Sequence, residues 1–119
     1  MSKILILESN KNIAHLLEKL CSRMGHEAII KNQAANIESL LETENIELVV
    51  SELHVLGVNI FELLNVIKEI KPRIKIIIIT KEYHAERQLK KKGVHVDCVI
   101  QKPMSAERLT LEITKLIGS

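Results

Sequence analysis

Short aliphatic runs alternate five times with longer amphipathic stretches along this chain. The runs are typical of buried strands, and the stretches space their apolar residues as one face of a helix. The predicted strands are 4–7, 28–30, 48–51, 76–79 and 99–100. Five β–α units in succession predict an α/β fold with a parallel five-stranded sheet, right-handed crossovers and helices on both faces.

Several helix ends can be read from single residues. Asn10 and Ser105 are suitable N-caps for the first and last helices, and Gly25 can end the first helix. Residues 82–92 give the weakest helix prediction, because Leu89 is almost the only large aliphatic residue among them.

Composition favours one domain over residues 1–119 with an aliphatic core, since 46% of the chain is hydrophobic and Phe61 and Tyr83 are the only aromatic residues. The formal net charge of +2 and the lack of stacking aromatics argue against direct binding of nucleic acid.

The cysteines and the hydropathy pattern indicate a cytoplasmic protein. Cys21 and Cys98 lie far apart without metal-ligand spacing, so both are expected to be buried thiols rather than a disulfide. No apolar run approaches the length of a membrane span or of a signal peptide.

Polar residues follow several of the predicted strands. In an open parallel sheet, the functional site lies beyond the carboxyl ends of the strands. This rule selects a small set of residues from four separate segments: Glu8, Ser9, Glu52, Thr80 and Lys102.

These residues, in this order, resemble the receiver domain of two-component response regulators, and the resemblance covers essentially the whole chain. It implies a flavodoxin-like (βα)5 three-layer sandwich. Glu52 takes the position of the phosphoacceptor aspartate, and Glu8 and Ser9 take the positions of the acidic pair. Thr80 matches the conserved hydroxyl, and Lys102-Pro103 matches the family's Lys-Pro pair, for which the resemblance also implies a cis peptide bond.

The chain also departs from the family. Its single aspartate, Asp97, is at none of these positions, Leu56 stands where proline is usual, and Val99 replaces the aromatic switch residue. Without that aromatic ring, a conformational signal would have to pass through backbone and helix position.

The substitutions predict a weakened phosphorylation site. In the family, a divalent cation bridges carboxylates and phosphoryl oxygens. Glu8, Glu52 and Lys102 sum to −1, so Mg²⁺ is expected to bind Glu8 and Glu52 weakly, if at all, and no other cofactor is expected. The extra methylene of glutamate also moves its carboxylate by about 1.5 Å, which disfavours efficient phosphoryl transfer to Glu52.

The leading interpretation is a non-enzymatic signalling domain that acts through protein contacts, with Glu52 meeting Thr80 and Lys102 as a phosphorylated acceptor would. The alternative is a phosphorelay acceptor that is phosphorylated on Glu52 with Mg²⁺. A flavin or nucleotide binder is disfavoured, because residues 8–12 lack glycine-rich character, and no hydrolase grouping is readable.

Expected partners are proteins, including a histidine kinase or a second copy of the chain. The expected contact face is formed by the fourth and fifth helices, whose cationic residues include Lys90, Lys91 and Lys92. The alternative is that these charges form an ordinary solvated face. His54, although close to Glu52, is expected to be an exposed loop residue, because no second metal ligand stands at useful spacing.

Overall fold

Five strands and five helices alternate along the chain in a computed structural model that describes residues 2–32, 35–55 and 57–118. The strands are β1 (Lys3–Leu7), β2 (Glu27–Lys31), β3 (Ile46–Glu52), β4 (Lys75–Thr80) and β5 (Cys98–Gln101). The helices are α1 (Lys11–Arg23), α2 (Ile37–Thr43), α3 (Ile60–Ile70), α4 (Ala85–Lys91) and α5 (Ala106–Ile117). Each predicted strand lies within an observed one.

The strands form one parallel sheet in the order β2-β1-β3-β4-β5, which confirms the predicted α/β architecture. The strand order reverses between β1 and β3, because β2 adds to one side of β1 whereas β3, β4 and β5 add in turn on the other side. This reversal places a crevice beyond the carboxyl ends of β1 and β3.

Two aliphatic cores cover the two faces of the sheet. Successive residues of a strand point to opposite faces, so Leu5 and Ile6 belong to different clusters. One cluster includes Leu64 of α3, and the other includes Leu17 of α1 and Leu109 of α5. β4 is buried on both faces, as its unbroken isoleucine run predicts.

The predicted beginnings of α1 and α5 and the predicted end of α1 are confirmed. Asn10 Oδ1 accepts the backbone N–H groups of Asn12 at 2.9 Å and Ile13 at 3.1 Å. Ser105 Oγ accepts the N–H of Arg108 at 3.1 Å. Gly25 follows α1 with a φ of 82°, a left-handed conformation that suits glycine.

The prediction for α4 was too long. The helix begins at Ala85 rather than at Glu82, and His84 contributes no side-chain cap. The Glu82 N–H instead donates to Thr80 Oγ1 at 3.1 Å, and this contact holds the residues between β4 and α4 in a loop. Ala85 and Leu89 are the buried residues of α4, so little apolar area anchors this helix.

The two cysteines are free thiols, but only Cys21 is buried as predicted. Burial raises the pKa of Cys21 to about 11. The prediction was wrong for Cys98, which is partly exposed. Its Sγ lies 3.7 Å from the Arg108 guanidinium, a contact with α5 that adjacency in sequence could not reveal. Within the described part of the chain, every helix is too short or too polar to span a lipid bilayer.

Candidate functional site

Glu8, Glu52 and Lys102 meet at the carboxyl edge of the sheet. Glu8 follows β1, Glu52 ends β3 and Lys102 follows β5. The Lys102 ammonium donates to Glu8 Oε1 at 3.1 Å and also to Glu52 Oε2. The side chains are nearly sealed from solvent, with exposed fractions of 11% for Lys102, 4% for Glu8 and 14% for Glu52. One ammonium group therefore bridges two carboxylates from different strands.

Backbone contacts fix Glu8 and Lys102 in this bridge. The second carboxylate oxygen of Glu8 accepts the Asn10 N–H at 3.1 Å, and Asn10 itself caps α1. The Lys102 N–H donates to Thr80 O at 2.7 Å, which extends the β4–β5 pairing to the site. The Lys102–Pro103 peptide bond is cis.

Burial and charge act on the ionisation of both partners. Burial raises the pKa of Glu52, and the nearby Glu8 carboxylate raises it further, while the Lys102 ammonium opposes both effects. Burial disfavours the charged form of Lys102, but its hydrogen bonds to Glu52 and Glu8 outweigh that cost and raise the pKa of the ammonium group. The bridge thus favours the charged form of Lys102, whose ammonium is shared by two carboxylates.

The remaining predicted site residues stand outside this bridge. Ser9 is exposed beside Glu8, and Pro103 is exposed beyond Lys102. Thr80 is buried, and its hydroxyl oxygen accepts the Glu82 N–H. Among the described residues, no hydrogen bond joins Thr80 to Glu52. Val99 lies partly buried in β5 opposite Ile78. Leu56 lies outside the described residues.

The sequence reasoning missed Glu82 as a neighbour of the site. His54 is exposed, as predicted, with 74% of its side chain accessible, yet its Nε2 lies 3.0 Å from Glu82 Oε1. Each of the two residues stands two positions beyond a predicted site residue, His54 after Glu52 and Glu82 after Thr80. That matched spacing on neighbouring strands was the available signal.

The single aspartate serves a structural role far from these carboxylates. Asp97 Oδ2 accepts the Ile76 N–H at 2.8 Å, and the Asp97 N–H donates to Ile76 O at 2.9 Å. Asp97 therefore pairs with the beginning of β4, at the opposite edge of the sheet from Glu52.

The family model of the response regulator receiver domain matches residues 4–114. This chain belongs to the receiver domain family. Receiver domains are generally signalling modules of two-component systems rather than enzymes. They interact with histidine kinases and other proteins, and they often dimerise. They bind a divalent cation at the phosphorylation site.

Solved structures of receiver domains share the fold of this one. A response regulator receiver domain from Clostridium thermocellum is 22% identical and aligns over 98% of this chain and 94% of its own, with a TM-score of 0.84. A CheY-like receiver domain from Methanospirillum hungatei is 22% identical over 97% and 92%, with a TM-score of 0.86.

A response regulator from Burkholderia pseudomallei, solved with a phosphorylated aspartic acid, a calcium ion and citrate, is 19% identical over 98% of this chain and 66% of its own, with a TM-score of 0.80. No curated protein gives a significant sequence match.

The donor set of this receiver domain fits a divalent cation poorly. Magnesium requires about six oxygen ligands in near-octahedral geometry. Within residues 2–32, 35–55 and 57–118, no group of three His, Cys, Asp or Glu side chains could hold a metal ion. The two carboxylates that do converge, Glu8 and Glu52, already share the Lys102 ammonium.

An apolar groove of about 540 Å³ adjoins the bridge in this receiver domain. Its lining includes Leu16, Tyr83, Lys102 and Pro103. Leu16 is 54% exposed and Tyr83 is 85% exposed, so two large exposed side chains lie in the lining of the same groove. The candidate site is therefore bordered by surface suited to a protein contact.

Proposed function

We propose that this receiver domain signals through protein contacts and that the Lys102 bridge stands in place of a phosphoryl group and its metal ion. The observation that carries this proposal is the position of the Lys102 ammonium, in contact with both Glu8 and Glu52. In a phosphorylated receiver domain, the corresponding lysine is expected by resemblance to hold a phosphoryl oxygen. Here Glu52 offers it a carboxylate oxygen instead.

Two features support weak phosphoryl acceptance by Glu52. Its Oε2 is engaged by the Lys102 ammonium, so only the other carboxylate oxygen could attack a phosphodonor without breaking that contact. Its extra methylene moves the oxygens by about 1.5 Å relative to aspartate, and a misplacement of roughly 1 Å can cost about 100-fold in rate.

Weak Mg²⁺ binding is part of the same proposal. Ser9 brings no charge to the acidic pair, and Glu8, Glu52 and Lys102 sum to −1. The Lys102 ammonium already occupies one oxygen of each carboxylate, so a divalent cation would have to bind beside it against the repulsion of its positive charge. Any residual affinity would rest on Glu8 and Glu52 alone.

The conformational bias proposed for Glu52 acts through Lys102 rather than through Thr80. The Glu52–Lys102 contact is present, whereas the Thr80 hydroxyl accepts the Glu82 N–H. Because Val99 has no aromatic ring to reorient, the bias would reach a partner through the position of the β5–α5 connection, where Lys102 is located.

The proposed contact face is formed by α4 and α5, with a histidine kinase or a second copy of the chain as partner. Arg87, Lys90 and Lys91 of α4 are exposed. In the part of the chain that the structure describes, no carboxylate lies within ion-pair distance of these three residues. α4 is short and anchored by two buried residues, so this helix can shift at small cost.

A second candidate function is phosphorelay through Glu52 with Mg²⁺. It is favoured by the retention of an acidic residue after β1, an acidic residue at the end of β3, and Lys102 in contact with both. The Burkholderia pseudomallei regulator carries a phosphorylated aspartic acid and a calcium ion, so the same fold supports that chemistry in another protein.

The two functions are separated by incubating the protein with phosphoramidate and Mg²⁺ and measuring the intact mass. The proposal predicts no stoichiometric phosphate adduct. An adduct that forms on the native protein and is absent from Glu52→Gln would overturn it in favour of phosphorelay. NMR shifts of residues near Glu52 on addition of beryllofluoride provide an independent measure of whether the site accepts a phosphoryl analogue.

A further inference from the structure

A groove lies at the amino edge of the sheet, opposite the Lys102 bridge. Its volume is about 680 Å³. The groove is formed by the beginnings of β3 and β4, the loop between α3 and β4, and the end of α5. We call it the amino-edge groove, and its lining includes Ile70, Lys71, Arg73, Lys75, Leu116 and Ile117.

The polar part of the amino-edge groove is mostly cationic. Lys71, Arg73 and Lys75 line it together, and within the described part of the chain none of the three lies within ion-pair distance of a carboxylate. Glu47 is the one acidic residue of the lining, and its carboxylate accepts the Ser2 hydroxyl at 2.8 Å. The groove thus presents three cations against one carboxylate that is already engaged.

The remainder of the lining is aliphatic. Ile70, Leu116 and Ile117 are only partly buried, so their side chains retain apolar surface in contact with solvent. Apolar surface surrounded by unpaired charge of one sign is typical of a binding site for a peptide or protein rather than for a simple ion.

We propose that the amino-edge groove binds an acidic, leucine-containing segment of a partner protein. The acidic residues of that segment would form ion pairs with Lys71, Arg73 and Lys75, whose charges are otherwise unpaired. The partly exposed aliphatic floor selects its apolar side chains, which inorganic phosphate could not cover. A nucleic acid strand is disfavoured, because the lining contains no aromatic residue on which bases could stack.

The test is a fluorescence anisotropy titration with a fluorescein-labelled peptide of four glutamates and two leucines. The charge-reversing pair Arg73→Glu with Lys75→Glu should weaken binding about tenfold or more. The matched pair Lys11→Glu with Lys19→Glu changes the net charge equally at exposed positions of α1 and should leave the affinity within about twofold. Binding should also weaken steeply between about 50 and 500 mM salt.

Two further peptides identify the chemistry. A peptide with lysine for each glutamate and one with serine for each leucine should both bind about tenfold more weakly. Equal binding of the lysine peptide, equal binding of the serine peptide, or equal weakening by both variant pairs would overturn the proposal. So would displacement of the peptide by an equal concentration of inorganic phosphate, or a dimer in sedimentation that Arg73→Glu with Lys75→Glu abolishes. Phosphoryl acceptance at Glu52 is measured separately and does not enter this test.

Discussion

Lys102 and Glu52 form an ion pair between the β5–α5 connection and the end of β3, and both side chains are largely shielded from solvent. Glu8 completes the arrangement from β1. Two carboxylates in a partly desolvated crevice repel each other, and Lys102 offsets that repulsion. The bridge is therefore a structural element as well as a candidate site.

Lys102→Met should destabilise the protein by about 2–4 kcal/mol, because it leaves two partly buried carboxylates without a counterion. Urea denaturation at pH 7 measures the loss of unfolding free energy. Lys81→Met removes an exposed lysine from the neighbouring loop and should cost little. The triple variant that adds Glu8→Gln and Glu52→Gln should recover most of the loss. A Lys102→Met protein as stable as the native one would contradict the ion-pair assignment.

The ionisation of Glu52 should respond in opposite directions to its two neighbours. Glu8→Gln should lower the pKa of Glu52, and Lys102→Met should raise it, since the neighbouring carboxylate favours the neutral form and the ammonium favours the anion. Carboxyl carbon shifts in an NMR titration measure both changes.

The same shift has a consequence for stability. Because the pKa of Glu52 is raised in the folded state, its contribution is fully present below the ordinary value of 4.5 and is lost as pH rises through the folded value. Glu52→Gln should lack this pH-dependent loss. Identical pH profiles of stability for the two proteins would mean that burial of Glu52 is less complete than the structure indicates.

Much of the fold could be predicted from the sequence because aliphatic runs and helix caps report local structure directly. The unbroken isoleucines of β4 predicted burial on both faces, and Asn10 predicted the beginning of α1. The beginning of α4 could not be predicted, because it depends on the Glu82 N–H reaching back to the Thr80 hydroxyl. The position of Cys98 depends on packing against α5, which no local pattern encodes.

The candidate site was predictable as a set but not as a geometry. The rule that the carboxyl ends of parallel strands meet at one edge predicts that Glu8, Glu52 and Lys102 lie together. It could not indicate that Lys102 contacts both carboxylates, or that the Thr80 hydroxyl accepts the Glu82 N–H instead of contacting Glu52. Hydrogen-bond choices among neighbouring polar groups depend on distances of a few tenths of an ångström, which spacing in sequence does not specify.

Asp97→Ala should destabilise the protein by about 1–2 kcal/mol, because the Ile76 N–H loses its carboxylate acceptor at the beginning of β4. Asp97→Asn keeps an acceptor oxygen and should cost less. Hydrogen exchange at the Ile76 amide locates the effect, with faster exchange in the alanine variant than in the asparagine variant. Unchanged exchange at Ile76 in Asp97→Ala would show that the contact contributes little.

Cys21 should make the protein sensitive to alkali. Its folded pKa of about 11 lies above the ordinary value of 9.0, so its contribution is fully present below pH 9 and is lost as pH rises towards 11. The difference corresponds to about 2–3 kcal/mol. Urea denaturation in reductant from pH 8 to 11, with Cys21→Ala as the reference, isolates this effect, because other alkaline groups are common to both proteins. Parallel curves would contradict the assignment of a buried neutral thiol.

Phosphoryl acceptance should be restored by shortening the acceptor and adding the missing carboxylate. Glu52→Asp withdraws the carboxylate from Lys102 by about one C–C bond, and Ser9→Asp, at an exposed position beside Glu8, adds the charge that a divalent cation needs. The double variant should be labelled by phosphoramidate and Mg²⁺ about tenfold faster than either single variant. The reason is that phosphoryl transfer needs both a correctly placed carboxylate and a bound metal ion, and each single variant supplies only one of them.

Intact mass against time measures the rate of labelling. Ser9→Asn with Glu52→Asp is the matched control, since it adds side-chain volume without charge and should behave like Glu52→Asp alone. If the double variant remains unlabelled while binding Mg²⁺ in an NMR titration, a feature other than carboxylate placement silences the site.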